Sequence, residues 1–235
     1  MPVAEVDEGV SAGFGRGAGP GERLVGASVF SADFGRLSAE AEAALAAGAD
    51  TLHVDVMDGH FVPNLSMGPA ICSALRRHLP DALLDVHLMV EQPGDFIEAF
   101  AAAGADHQTI HLESRVDHRA LAAAIHAAGC TAGLAINPDT PIDDAVELQD
   151  AFELFLVMSV HPGYSGQAFI EGVLPKVAAL RETFGPSAWI QMDGGVSPDT
   201  AHACREAGCN MLVSASAIFG SEQYAPPIAA IRGAD

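Results

Sequence analysis

The sequence predicts a (β/α)8 TIM barrel, the closed parallel-sheet class of α/β fold. Three observations predict it. Apolar, β-branched runs alternate with Ala-rich stretches along the chain, and a small glycine-bearing turn recurs between them. The length, 235 residues, is close to the ~250 that such a barrel takes.

The strand-like runs cover residues 24–30, 51–57, 83–89, 107–112, 131–137, 153–159, 188–193 and 210–214. Helical stretches such as 38–47, 95–103, 119–128, 173–184 and 199–207 lie between them. Strand and helix in alternation imply parallel strands joined by crossovers, and eight such units close a ring. Ala47-Gly48-Ala49-Asp50, Ala103-Gly104-Ala105-Asp106, Ala128-Gly129-Cys130-Thr131 and Ala207-Gly208-Cys209-Asn210 each stand where helix gives way to strand. Glycine there ends a helix in the left-handed conformation. An open doubly wound sheet is the competing architecture, but Phe30-Ser31-Ala32-Asp33-Phe34-Gly35 lacks the GxGxxG spacing expected after its first strand.

Residues 1–22, rich in Gly, Ala and acidic side chains, are expected to form a disordered extension, and residues 23–235 a single catalytic barrel. The formal net charge is -20 with only 11 Lys plus Arg, which argues against nucleic acid as a partner. No apolar run approaches the about 20 residues that cross a bilayer, and no secretion signal precedes the first strand. A cytoplasmic enzyme acting on a small molecule is the expectation. Cys72, Cys130, Cys204 and Cys209 form no CxxC pair and read as small core residues.

Alternate residues of a strand share a face. Residues 51–57 therefore set His53, Asp55 and Met57 against Leu52, Val54 and Val56, and residues 83–89 set Asp85, His87 and Met89 against Leu84, Val86 and Leu88. Gln191 and Asp193 oppose Ile190 and Met192. The apolar face suits the helix layer, which leaves the polar face for the barrel axis, where C-terminal strand ends build the active site. Two imidazoles and two carboxylates suit one divalent cation, zinc foremost, with iron, manganese or cobalt also compatible. The competing reading makes His53 and His87 hydrogen-bonded core residues with Asp55 and Asp193 capping loops. Met57, Met89 and Met158 are candidates for an apolar lining of the mouth.

Glycine-bearing loops follow the sixth and seventh strands, His161-Pro162-Gly163-Tyr164-Ser165-Gly166-Gln167 and Asp193-Gly194-Gly195-Val196, and Ala215-Ser216 opens a short helix after the eighth. Barrel enzymes frequently bind phosphate at these late loops, and with so few cations the grip must come from backbone N–H groups.

Leu52-His53-Val54-Asp55-Val56-Met57-Asp58-Gly59-His60-Phe61-Val62-Pro63-Asn64 resembles the signature of ribulose-phosphate 3-epimerases. Asp85-Val86-His87-Leu88-Met89-Val90, Val157-Met158-Ser159-Val160 and Asp193-Gly194-Gly195-Val196 resemble further blocks of that family in the same order, over about residues 24–220. The resemblance implies a barrel of ribulose-phosphate-binding type and a divalent metal on His53, Asp55, His87 and Asp193. It implies Asp55 and Asp193 as the acid/base pair that inverts C3 of a ketopentose 5-phosphate through an enediolate. It also implies substrate contacts from Ser28 and His87, a phosphate site around Gly163, Tyr164, Ser165, Gly166, Gly194, Gly195, Val196, Ala215 and Ser216, and a homo-oligomer. The chain departs from the family pattern at His161, at Ser165 where Gly is usual, at Gln191 where Glu is usual, and at Ala215 where Gly is usual. A related ketose phosphate, such as allulose 6-phosphate, is therefore an alternative substrate, and a non-catalytic sugar-phosphate-binding barrel a third reading. The related decarboxylases rely on a Lys between carboxylates, and Lys176, the only lysine, falls in a predicted helix.

Overall fold

The structure, a computed structural model, describes residues 22–233. The extension expected over residues 1–22 lies, apart from Glu22, outside the described residues. Eight parallel strands close a ring in sequence order: β1 (Leu24–Ser28), β2 (Thr51–Met57), β3 (Leu83–Met89), β4 (His107–His111), β5 (Thr131–Ile136), β6 (Leu154–Met158), β7 (Trp189–Asp193) and β8 (Met211–Ser214). β1 pairs with β8 from Leu24↔Met211 to Ala27↔Ser214 and seals the barrel. Helices α1 (Leu37–Ala46), α2 (Pro69–His78), α3 (Ile97–Ala102), α4 (His118–Ala127), α5 (Asp143–Glu147), α6 (Leu174–Phe184), α7 (Pro198–Ala207), α8 (Ser216–Phe219) and α9 (Ala225–Arg232) follow the strands. No helix among the described residues is long and apolar enough to cross a membrane.

The period of two sorts the side chains into two cores. Leu52, Val54, Val56, Leu84, Val86, Leu88, Ile190 and Met192 face outward into the layer packed by the helices. Inside the ring, Ala135, Leu154, Leu156, Met158, Val160, Trp189 and Met211 fill a separate apolar plug. The polar residues His53, Asp55, Asp85 and His87 share the interior with that plug and are buried. Groups so placed need partners, because an unpaired buried polar group is costly.

The recurrent glycine turns do more than end helices. Gly104 and Gly208 have φ of +98° and +116°, and a Cβ on either would strike Arg76 or Arg181 within 2.6 to 2.8 Å. The guanidinium of Arg76 donates to the carbonyls of Gly104, Pro80 and Ala82 and pairs with Asp106. Arg181 does the same at Gly208, Gly185 and Ala188.

Some boundaries differ from the sequence expectation. β1 stops at Ser28, because residues 29–31 turn into a 3-10 segment in which Ala32 N–H donates to the Val29 carbonyl at 3.1 Å. α2, α5 and α9 were absent from the expected helices. α2 ends in Arg76-Arg77-His78, α5 is five residues of mostly acidic chain, and α9 begins Ala225-Pro226-Pro227. The paired prolines are accommodated because the N–H groups of a first helical turn have no intrahelical acceptor to lose.

Candidate active site

β2 and β3 pair in register, so His53 sits beside Asp85 and Asp55 beside His87. β7 lies three strands away around the ring and brings Asp193 to the same level. One ligand atom from each of His53, Asp55, His87 and Asp193 lies within 4.8 Å of the others. His87 Nδ1 stands 3.1 Å from Asp55 Oδ1 and 3.9 Å from Asp193 Oδ2. His53 Nε2 stands 3.3 Å from Asp55 Oδ1.

This donor set fits a divalent cation on one specific observation. His53 Nδ1 is held by Asp85 Oδ2 at 2.8 Å, while its Nε2, on the Asp55 side, is buried with no hydrogen-bond partner. A histidine held by a carboxylate on one nitrogen and bare on the other is the usual arrangement at a metal. Asp85 is itself steadied by Gln191, whose amide donates to Oδ2 at 2.7 Å. The competing reading of two satisfied core histidines does not account for the bare nitrogen. A satisfied core histidine does exist one strand further: His107 bonds Thr131 and Thr109 through its two nitrogens.

The two carboxylates differ in surroundings. Burial alone would lift Asp55, but His53, with His87 behind it, holds its carboxyl well below the ordinary carboxylate range. The Ser28 hydroxyl donates to Asp55 Oδ2 at 2.6 Å. Asp193 is pushed up to about 7 by burial and then by the nearby Asp55 charge. Carboxyl groups pushed apart in this way are a familiar basis for one acting as acid and the other as base. Burial opposes charge on His53 too, yet Asp85 and Asp55 raise it well above the ordinary histidine value.

A cavity of about 270 Å³ opens over this cluster. Asp55, Asp193 and Ser28 line its floor, and Met57, Met89 and Met158 its apolar wall. Gly163, Tyr164, Ser165, Gly166, Gly194, Gly195, Val196, Ala215 and Ser216 line the remainder. His53 and His87 are buried behind the floor and are absent from the lining. Among the described residues, no Lys or Arg reaches the cavity. The turn at Gly194 and Gly195 tolerates no side chain: φ is +108° and +63°, and a Cβ would come within 2.5 Å of Val160 and 2.9 Å of the Phe169 nitrogen. His161 lies outside the cavity lining, exposed, 3.8 Å from Asp139.

Sequence reasoning gave no role to Asp85, His111 or Glu113. His111 ends β4, its Nε2 2.8 Å from His87 Nε2 and its Nδ1 3.0 Å from Glu113 Oε2. The signal was present: His107, Thr109 and His111 alternate inward, and His111 stands two residues before an acid.

Residues 24–219 match the model of the ribulose-phosphate 3 epimerase family. The ribulose-phosphate 3-epimerase of Synechocystis sp. is 45% identical over 215 residues, covering 89% of this chain and 93% of that protein. The enzyme of that name from Bacillus subtilis is 42% identical over 213 residues, covering 89% and 98%. The solved structure of 3-keto-L-gulonate-6-phosphate decarboxylase from Vibrio cholerae superposes with a TM-score of 0.67 over 90% of this chain and 96% of that one. At 17% identity that last likeness is one of fold.

Proposed function

The chain belongs to the ribulose-phosphate 3-epimerase family, isomerases of the epimerase class, and from that premise we propose that it interconverts D-ribulose 5-phosphate and D-xylulose 5-phosphate. One observation carries the reading: Asp55 and Asp193, from strands on different sides of the ring, face one cavity with their ligand atoms clustered with those of His53 and His87.

His53, Asp55, His87 and Asp193 would hold one divalent cation, for which zinc is our assignment from the mixed nitrogen and oxygen donors. When bound, such a cation supplies Lewis-acid stabilisation of negative charge on the substrate oxygens. The protein's own groups do the rest. One of the two aspartates takes the proton from C3 of the ketose, leaving an enediolate, and the other returns a proton to the opposite face. The Ser28 hydroxyl, donating to Asp55, fixes the direction in which that carboxylate presents its free oxygen. Met57, Met89 and Met158 exclude water from the reacting carbons. Backbone N–H groups at Gly194, Gly195 and Ser216 take the phosphate, since no cationic side chain lines the cavity. We also infer a cytoplasmic location, as the rice relative is named a cytoplasmic isoform, and a homo-oligomer.

Incubation with a panel of ketose phosphates, with metal analysis of the same sample, tests the substrate. Turnover of ribulose 5-phosphate is expected; its absence beside turnover of another ketose overturns the assignment. Ser165 and Ala215 in the cavity lining favour a second reading, a related ketose phosphate, which the panel also measures. The acid/base role is checked by Asp193→Asn. Deuterium uptake at C3 from heavy water should fall at least about 100-fold, in line with loss of a positioned acid or base.

A further inference from the structure

Each of the two buried histidines has one ring nitrogen aimed at the ligand cluster and the other aimed away from it. For His53 the outer nitrogen meets a carboxylate directly, Asp85 Oδ2 at 2.8 Å. For His87 it meets another imidazole. His87 Nε2 lies 2.8 Å from His111 Nε2, the two rings stacked with centroids 5.0 Å apart. His111 Nδ1 continues to Glu113 Oε2 at 3.0 Å, and Glu113 Oε1 accepts the Asn137 backbone N–H at 2.8 Å. Phe61 packs against the His111 ring at 4.7 Å between centroids and covers it. His87 and His111 are fully buried.

With both rings neutral and a cation, rather than a proton, between His87 Nδ1 and Asp55 Oδ1, which stand 3.1 Å apart, the donors and acceptors in this chain have one consistent order. The Asn137 N–H can only donate, and a carboxylate can only accept. Glu113 therefore takes the Nδ1 proton of His111, and a neutral imidazole with a proton on Nδ1 offers a lone pair at Nε2. His87 must then carry its own proton on Nε2 and keep Nδ1 bare, on the side of Asp55 and Asp193. We propose that His111 and Glu113 are positioning residues that fix the tautomer of His87, so that its Nδ1 lone pair is directed at the cation of the proposed centre.

The inference rests on the metal-binding reading of the site and adds a function for two residues outside the ligand set. It also explains an asymmetry. A carboxylate directly behind His87 would occupy the space that His111 fills, so the anion is moved outward to Glu113, with its second oxygen spent on the backbone of the β5 end.

Glu113→Gln is the informative change because shape is kept and one acceptor becomes a donor. The amide oxygen can satisfy Asn137 N–H or His111 Nδ1–H, not both. With the oxygen on Asn137, the NH2 group faces His111 Nδ1, reverses that ring's tautomer, and drives the His87 proton onto Nδ1. His111→Leu, which removes the acceptor altogether, is the second variant. Zn²⁺ affinity is measured by chelator competition on the full chain, alongside thermal unfolding of the chelator-stripped proteins. The expected result is roughly 10- to 100-fold weaker Zn²⁺ binding in both variants, with kcat of Glu113→Gln recovering toward wild type as Zn²⁺ is raised to saturation. Zn²⁺ affinity within about twofold of wild type in both variants overturns the relay, whatever happens to the unfolding temperature. Wild-type protein with no stoichiometric Zn²⁺ site overturns the metal reading itself, a result distinct from the first.

Discussion

Asp193 and Asp55 carry the same carboxyl group in opposite circumstances. Burial and the Asp55 charge lift Asp193 from 3.8 to about 7, so between those values the folded protein holds a proton that the unfolded chain has released. The stability this contributes is fully present below about 4 and is lost as pH rises through 7. After chelation, the thermal midpoint of the wild type should therefore fall relative to Asp193→Asn as pH is raised across that window, by an amount equivalent to a few kcal/mol. Parallel curves for the two proteins would remove Asp193 as the source. The four residues proposed as ligands were legible as one cluster in the sequence because each alternates with apolar neighbours along its own strand: Leu52, Val54 and Val56 announce where His53 and Asp55 must point. Asp85 and Gln191 were not, because their partners lie on other strands, and the His111–Glu113 pair, two residues apart in sequence, meets the site only through His87 on β3. That Gln191 meets Asp85, 106 residues away, depends on how β3 and β7 face one another across the interior.

At the scale of elements, β5 shows how closely the interior is fitted. Gly133 has ordinary strand geometry, yet a Cβ there would collide with Thr109 Oγ1 and come within 2.6 Å of His107 Nε2. Those groups bond each other and Thr131, so neither can retreat freely. Gly133→Ala should destabilise the fold by about 1–3 kcal/mol, read as a lower midpoint in urea unfolding. An unchanged midpoint would mean that β5 shifts outward at little cost. The loops that line the cavity are braced in a different way. Asn64, after β2, donates to the Gly163 carbonyl at 2.7 Å, and the Tyr164 hydroxyl donates to the Pro63 carbonyl at 2.9 Å. The eight strands were visible in the sequence as apolar runs, with ends misjudged by a residue or two. The unforeseen helices share a cause. Their stability comes from a few buried residues against the barrel, Cys72 and Leu75 in α2 and Ile228 and Ile231 in α9, rather than from local propensity.

For the molecule as a whole, charge is unevenly employed. Arg76, Arg119, Lys176, Arg181, Arg205 and Arg232 all donate to backbone carbonyls. Lys176, like Arg76 and Arg181, reaches three, those of Asn137, Pro138 and Thr140. Six of the 11 cations thus tie turns, and a strongly acidic chain, formally -20, meets an anionic sugar phosphate. Salt screens that repulsion over a Debye length of about 10 Å at 0.1 M. kcat/KM should accordingly rise, roughly twofold or more, as ionic strength goes from ~0.01 to ~0.1 M; a fall would point to local attraction at the mouth outweighing the net charge. Composition alone showed the shortage of cations, but not their deployment, which required knowing where each carbonyl lies.

The seam between β1 and β8 has a geometric consequence. Arg232, at the end of α9, donates to the Arg23 carbonyl at 2.6 Å, across 209 positions of sequence, and to the Gly48 carbonyl at 2.5 Å. Residues 23 and 232 are therefore neighbours, on the side of the barrel where strands begin, while the cavity opens where strands finish. The ring of eight units has no intrinsic first member. A short peptide joining residue 233 to residue 22, with the chain reopened at an αβ turn such as that around Gly129, would leave every strand pairing unbroken, and the order of the units along the gene would be a matter of convention rather than of architecture.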